Sequence, residues 1–218
     1  MKKHWWKALS VVLILISIIW GFLGEVRALP ILNETIRVLY YHVPMWFAMI
    51  ALMGVSLVCS ILYLNKETPD YDLKAIEAAK TGFLLASLGL LTGMIWARFT
   101  WGAFFFFFPK LNGTLVTMLI YLAYFVLRSS VEDARKRARL SAIYNIFAFV
   151  MTIVFIGILP RMTDSLHPGN GGNPGFNQYD LDSKMRPIFY SAVLGWILMG
   201  WWITNIRIRL KKITNAED

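Results

Sequence analysis

Residues 96–112 read WARFTWGAFFFFFPKLN, and this stretch separates two long apolar segments of the chain. It holds two Trp and six Phe but only two charged side chains, Arg98 and Lys110. Connections between helices are normally polar, because loop backbone needs hydration. An aromatic connection is therefore either an anchor at a membrane surface or a flat platform for a planar, hydrophobic ligand.

The composition on both sides of this stretch is that of a membrane protein. The chain has 218 residues, of which 57% are hydrophobic and 16% charged, whereas soluble domains are about 25% charged. Six apolar segments approach the roughly 20 residues that cross the hydrocarbon layer, and none alternates as barrel strands do. We predict an all-α integral membrane protein, a six-transmembrane-helix bundle forming one domain over residues 1–218. The spans are predicted at residues 8–23, 43–64, 81–96, 113–127, 140–159 and 187–206.

Lysine and arginine predict the orientation of these spans. With the N-terminus placed inside, 15 basic residues lie on the inner side and 7 on the outer side. Because short cytoplasmic loops carry the excess of positive charge, both termini are predicted inside and the aromatic-rich loop outside. The net charge of +9 is thus a topology signal, and nucleic acid is not an expected partner. The long apolar body after the basic N-terminal head predicts a retained helix rather than a cleaved signal peptide.

Two histidines share the outer side with the aromatic stretch in this topology. His42 is predicted at the outer start of the second helix, at the water–membrane boundary, and His167 in the loop before the sixth. Alone, each is typical of an interfacial or solvated side chain. Together they also fit haem, because imidazole nitrogen is a suitable axial ligand for haem iron. His4 lies inside, beside Trp5 and Trp6, and is expected only to anchor its helix.

Haem carries two propionates, which need cationic partners on the same side. The outer basic residues that qualify are Arg98, Lys110, Arg161 and Arg186. Arginine suits carboxylates best, because its planar fork donates two bonds. A quinone or a lipid headgroup would also suit an aromatic, basic surface site, so the residues alone leave these ligands open.

Three other features are interpreted structurally. Gly89 and Gly93 form a G-x-x-x-G pair that predicts close contact between helices. The single cysteine, Cys59, lies in an apolar run and is interpreted as a packing residue. The Gly- and Pro-rich segment 167–176 predicts a flexible loop, which would let His167 move.

Three motifs, in order along the chain, resemble the CcmC haem-handling family (haem exporter protein C) of c-type cytochrome maturation. YYHVP at 40–44 resembles a family histidine motif close to YIHVP. Residues 96–111 resemble the family loop W-G-x-W-W-x-W-D-P-[RK]-L, and SLHPG at 165–169 resembles the second outer histidine motif. The resemblance covers most of the chain and implies six spans with both termini inside.

The resemblance implies haem handling rather than catalysis. It implies transient binding of b-type haem at the outer face of a bacterial inner membrane, with His42 and His167 as axial ligands. It also implies a porphyrin platform in the aromatic loop, accompanied by Lys110. The platform residues are Trp96, Trp101, Phe104, Phe105 and Phe107. The implied partners are a periplasmic haem chaperone that receives the haem, a small single-span subunit, an ABC-type transporter complex and membrane lipids.

The chain departs from the family pattern inside the aromatic loop. Phenylalanine replaces tryptophan at 104, 105 and 107, and Phe108 stands where the family has aspartate. Phenylalanine keeps stacking area but lacks the indole N–H donor. Docking of the chaperone and the pose of the haem are therefore the expectations that this loop affects most.

Two other functions compete with haem handling at the outer face. One is a transport subunit that moves haem or another solute through the bilayer. Such a path needs polar groups facing the bundle interior, and the predicted span cores hold almost none, because the charges fall in loops. The other is an assembly subunit whose aromatic residues only anchor it in the membrane.

Overall fold

A computed structural model of the chain describes residues 4–168, 170–172, 175–176 and 180–217. In these residues all regular secondary structure is helical. The long helices are α1 (Trp5–Leu23), α2 (Leu39–Lys66), α3 (Pro69–Trp101), α4 (Pro109–Ser129), α5 (Ala134–Thr152) and α6 (Met185–Glu217). By length and composition, each is able to cross a membrane, α5 together with its continuation to Met162. The predicted all-α fold with six spans is confirmed.

Every predicted span lies inside one of these helices, the fifth inside α5 and its continuation, but the helices extend further. A 3-10 segment, Asn33–Val38, leads directly into α2. Pro44 therefore lies inside α2. At the other edge, α5 continues through a π-helical segment, Ile153–Ile158, and a 3-10 turn, Leu159–Met162.

The aromatic stretch is mostly helical, so the prediction that residues 96–112 form one connection is wrong. Helix α3 runs to Trp101 and ends at Gly102, whose φ of 92° is a left-handed conformation that glycine adopts without strain. Helix α4 begins at Pro109, where a missing backbone N–H costs nothing. Only residues 102–108 join the two helices.

Helix α2 lies at the centre of the bundle and packs against α3, α5 and α6. Helix α1 packs on α6, and α4 packs on α5 and its π-helical continuation. A polar contact inside this core joins α2 to α5, where the Asn145 amide donates to the hydroxyls of Ser56 and Ser60, both at 2.8 Å. The fully buried apolar core around it includes Met49, Leu52, Met53, Leu85 and Tyr121.

The two ends of the bundle differ in chemistry. At the end that we call the basic end, the start of α1 lies beside the second half of α6: Lys7 lies 5.1 Å from the ring of Trp202. This end also holds the connections at 67–68 and 130–133. The opposite end, the aromatic end, holds the connections 24–38 and 102–108 and the described residues of 163–184. The excess of basic residues predicts that the aromatic end faces outside.

Charged residues at the basic end lie on helices, contrary to the expectation that they fall in loops. Arg128 of α4 donates two hydrogen bonds, of 2.6 and 2.5 Å, to Asp72 of α3. Glu77, buried in α3, accepts bonds from Lys80 at 3.0 Å and from Arg207 of α6 at 2.7 Å. These pairs satisfy charges that would be costly to bury alone.

Candidate functional site

A mainly apolar cavity of about 260 Å³ lies at the aromatic end of the bundle. Its walls come from α2, α3, α4, the π-helical segment and the loop before α6. Gly113 allows α4 to approach the π-helical segment, since a Cβ at this position would lie 2.2 Å from the Phe155 carbonyl oxygen. Six of the predicted site residues line the cavity: His42, Trp96, Trp101, Lys110, Arg161 and His167.

His42 enters this cavity from α2 and is buried, with 6% of its surface exposed. Its side chain is therefore enclosed by the bundle rather than solvated. Its Nε2 accepts a hydrogen bond from the Trp46 indole N–H at 3.3 Å. Because that nitrogen accepts, the neutral ring carries its proton on Nδ1, which lies 3.1 Å from the hydroxyl of Thr92. Both ring nitrogens of His42 are therefore engaged.

Two glycines of α3 make room for these side chains. A Cβ at Gly93 would lie 2.6 Å from Cε1 of His42, and a Cβ at Gly89 would lie 2.8 Å from Cε2 of Trp46. Real Cβ atoms do not approach this closely, so only glycine fits both positions without a shift. The two glycines do allow a close approach, as predicted. The groups that approach them are the side chains of His42 and Trp46, which line the cavity.

His167 lies on the loop after α5 and is half-buried. Its Nδ1 lies 2.7 Å from the carbonyl oxygen of Pro168, so Nδ1 donates and carries the ring proton. The Nε2 atom has no hydrogen-bond partner among the described residues. Burial, and then the charge of Lys110, lower the pKa of His167 from 6.5 to about 3. The ring is therefore neutral at pH 7, with a lone pair available on Nε2.

The turn that holds His167 is fastened at two points. Lys110, at the start of α4, donates from Nζ to the Pro168 carbonyl at 2.8 Å. The buried Asn170 donates to the carbonyls of Ser165, at 2.5 Å, and His167, at 2.9 Å. In the predicted flexible segment 167–176, residues 169, 173 and 174 lie outside the described part of the chain. Its flexibility stays a prediction.

One tryptophan accompanies each histidine. The rings of Trp96 and His42 lie edge to face with centroids 6.0 Å apart, and the indole N–H of Trp96 donates to Thr35 at 3.2 Å. The ring centroid of Trp101 lies 6.0 Å from that of His167. Both predicted tryptophans of the platform thus line the cavity next to an imidazole.

The phenylalanine run is divided between two environments. Phe106 and Phe108 stack on each other at 5.3 Å and meet Trp101 edge to face. Phe104 and Phe107 are exposed, the latter by 88%. The three phenylalanines predicted for the platform, Phe104, Phe105 and Phe107, are not among the residues that line the cavity. The structure therefore does not bring them together with the histidines.

The four predicted propionate partners are divided in the same way. Lys110 and Arg161 line the cavity. Arg98 instead donates to the carbonyl of Gly102 and lies 5.9 Å from the centroid of the Phe104 ring. Arg186 donates to the Leu181 carbonyl at 3.1 Å, outside the cavity lining.

The sequence reading missed Trp46, Thr92 and Asn170. Trp46 follows His42 by four residues, a spacing that places two side chains on one face of a helix. That spacing was a usable signal once the helix had been extended to Leu39. Thr92 and Asn170 gave no signal, because their partners come from other elements or from backbone carbonyls.

The donor set of the cavity selects among possible ligands. In the part of the chain that the structure describes, no cluster of three or more His, Cys, Asp or Glu side chains could hold a metal ion. Structural and catalytic zinc sites need at least three protein ligands. Two neutral imidazoles in an apolar cavity instead fit an iron that brings its own equatorial nitrogens, as haem does.

Fold and site together define a class: a multi-pass membrane protein with a two-histidine, tryptophan-lined cavity at one end. More specifically, the chain belongs to the CcmC family, described as Heme exporter protein C, whose model matches residues 2–217.

Individual relatives are similar over most of the chain. The Heme exporter protein C of Rhodobacter capsulatus is 25% identical over 217 residues, which are 98% of this chain and 89% of the relative. That of Escherichia coli K12 is 24% identical over 205 residues, 94% of this chain and 81% of the relative. That of Paracoccus denitrificans is 27% identical over 153 residues, 70% and 63% of the two chains.

Proposed function

We propose that this protein binds haem in the cavity at the aromatic end and delivers it to a haem chaperone for c-type cytochrome maturation. The observation that carries the proposal is the presence of two histidines, His42 and His167, on one mainly apolar cavity. Haem would supply the iron and the flat porphyrin. The protein would supply the two axial nitrogens and the apolar walls.

Other residues of the cavity would orient the porphyrin. Trp96 and Trp101 offer broad aromatic surfaces next to the two imidazoles. Lys110 and Arg161 are the cations that line the cavity, so they are the proposed partners of the propionates. The Lys110 ammonium uses one donor for Pro168 and keeps two.

The proposed setting is a bacterial inner membrane, with the cavity on the periplasmic side. The family description, haem exporter, supports a role in passing haem onward. We propose three protein partners: the chaperone that receives the haem, a small single-span subunit, and an ABC-type transporter complex. The role is one of binding and transfer, without catalysis.

The packing below the cavity favours handling at one face over conduction through the bilayer. Leu52, Met53 and Leu85 are 2% exposed or less and fill the core between the two ends of the bundle. A conducting path for haem would need an open route through this region, which these packed side chains occupy. The proposal therefore keeps haem at the aromatic end throughout.

The test is an absorption spectrum of protein purified from haem-supplied cells, with His42→Ala, His167→Ala and His4→Ala variants. The wild type is expected to show the Soret and visible bands of six-coordinate haem with two imidazole ligands. Each cavity variant should lose six-coordination, and the His42→Ala/His167→Ala double variant should lose most of the haem. His4 is exposed at the opposite end, so His4→Ala should match the wild type. A wild-type spectrum in both single cavity variants would refute the ligand assignment.

Delivery needs a separate measurement. Loaded protein in detergent or nanodiscs is mixed with the purified chaperone, and the haem on each is quantified after separation. Transfer from the wild type that is absent from a chaperone-free control supports the proposal. Haem that stays on the membrane protein in the presence of the chaperone, alone and with the ABC-type complex, would contradict delivery.

A further inference from the structure

The Trp46 indole is hydrogen-bonded to the nitrogen of His42 that would ligate a metal. Its N–H donates to Nε2 at 3.3 Å, and an indole nitrogen can only donate. The bond therefore uses the lone pair on Nε2. An axial ligand must offer this same lone pair, because Nδ1 carries the ring proton beside Thr92. Hydrogen bonding by Trp46 and ligation of iron are mutually exclusive at this nitrogen.

This contact is built within one helix. His42 and Trp46 are four residues apart on α2, so their side chains are neighbours on one face. The indole lies against α3 at Gly89, where a Cβ would come within 3.0 Å of the indole nitrogen. Trp46 also lines the cavity. Donor and acceptor of this bond therefore belong to one helix, and the indole borders the cavity.

The second tryptophan beside His42 shows that the contact is specific. The ring centroids of Trp46 and Trp96 lie 6.1 and 6.0 Å from that of His42, and both approach edge to face. Only Trp46 donates to the imidazole, since Trp96 donates to Thr35. An indole can therefore lie next to the His42 ring, as Trp96 does, without donating a hydrogen bond to its Nε2.

We propose that Trp46 is a positioning residue that caps Nε2 of His42 and must withdraw before His42 can ligate iron. This inference rests on the proposed haem function. The cap orients the imidazole and satisfies its buried acceptor when haem is absent. It also competes with iron, which lowers the affinity for haem and favours its release. A protein that must give up its cargo gains from such competition.

The cap itself is tested in haem-free protein, by the ¹⁵N NMR signal of His42 Nε2 in histidine-labelled samples. The Trp46→Phe variant keeps a ring in the slot but removes the donor. Its Nε2 signal should move toward that of an unbonded acceptor nitrogen. Trp96→Phe is the matched comparison, because the Trp96 ring centroid lies 6.0 Å from that of His42 but its N–H donates to Thr35, and it should leave the Nε2 signal in place.

The competition is tested by the affinity for haem, measured by titration against apomyoglobin as competitor. Loss of one neutral hydrogen bond predicts binding that is about fivefold tighter in Trp46→Phe. Trp96→Phe should not tighten binding. Gly89→Ala provides a second route, since its Cβ would displace the indole without altering the tryptophan, and it should also raise the affinity.

The possible failures are distinguishable. An unchanged Nε2 signal and an unchanged affinity in both Trp46→Phe and Gly89→Ala would overturn the cap, even where the wild type binds haem through both histidines. Weaker binding in both variants would show that the indole supports ligation and would also overturn it. A wild type whose haem does not depend on His42 would overturn the proposed function instead, while the NMR signal still decides whether the cap exists.

Discussion

The two halves of the cavity hold their histidines in different ways. His42 lies on the central helix α2, is seated against α3, and has both ring nitrogens engaged by side chains. His167 lies on a loop and engages one nitrogen, with a backbone carbonyl. The helical half is positioned by packing of the bundle, whereas the loop half depends on a few hydrogen bonds. On the proposed function, we expect the helical half to fix the position of haem and the loop half to be the more easily displaced.

The largest expected effect comes from filling the seat of His42. In Gly93→Ala the new Cβ would lie 2.6 Å from the imidazole. Overpacking of this kind costs about 1–3 kcal/mol, so the affinity for haem should fall by up to about 100-fold, which lowers the ratio of the Soret band to protein. The matched control is Gly54→Ala on α2, where the nearest atoms are 3.9 Å away. Equal occupancy in both variants would show that the helical half tolerates displacement.

The next effect comes from the partner of Nδ1. Thr92→Val keeps the shape of the side chain but removes the acceptor that fixes the imidazole. Groups that orient a ligating histidine are worth about 10–100-fold in metal affinity, so haem affinity should fall by about tenfold. Thr81→Val is the control on the same helix, because Thr81 makes a similar backbone bond to Glu77 but lies away from the cavity. A loss of equal size in Thr81→Val would assign the effect to the helix rather than to His42.

The same contrast explains how much could be predicted from the sequence. The spans follow from runs of apolar residues, and the shared location of His42 and His167 follows from the topology. The roles of Phe104, Phe105 and Phe107 could not be derived, because a short connection has no periodicity that separates inward from outward side chains. Thr92 and Asn170 depend on contacts between elements. The sequence therefore predicted which residues meet at the cavity better than what holds each in place.

The loop half is tested through its fastening to α4. Lys110→Met removes the ammonium that donates to Pro168 but keeps an unbranched apolar chain. A bond from a charged donor is worth about 1.5–3 kcal/mol, so hydrogen exchange over residues 163–168 should accelerate by about tenfold or more. Haem should also leave faster, while the NMR signal of His42 in haem-free protein stays unchanged. A shift in that signal would show that the two halves are not independent.

The smallest effect is expected where the same loop makes an exposed ion pair, between Lys184 and Glu25. The pair lowers the pKa of Glu25 and raises that of Lys184, in each case through their hydrogen bond and charge. The ionised Glu25 carboxylate therefore contributes to the free energy of unfolding at pH values above its ordinary pKa of 4.5. This contribution is lost as the pH falls through its lowered pKa. Because both side chains are exposed, water and salt screen the pair.

Lys184→Met should therefore leave the melting temperature at pH 7 and the hydrogen exchange of residues 163–168 unchanged in physiological salt. Acceleration as large as in Lys110→Met would mean that surface charge, rather than the contact at the cavity, holds the loop that carries His167.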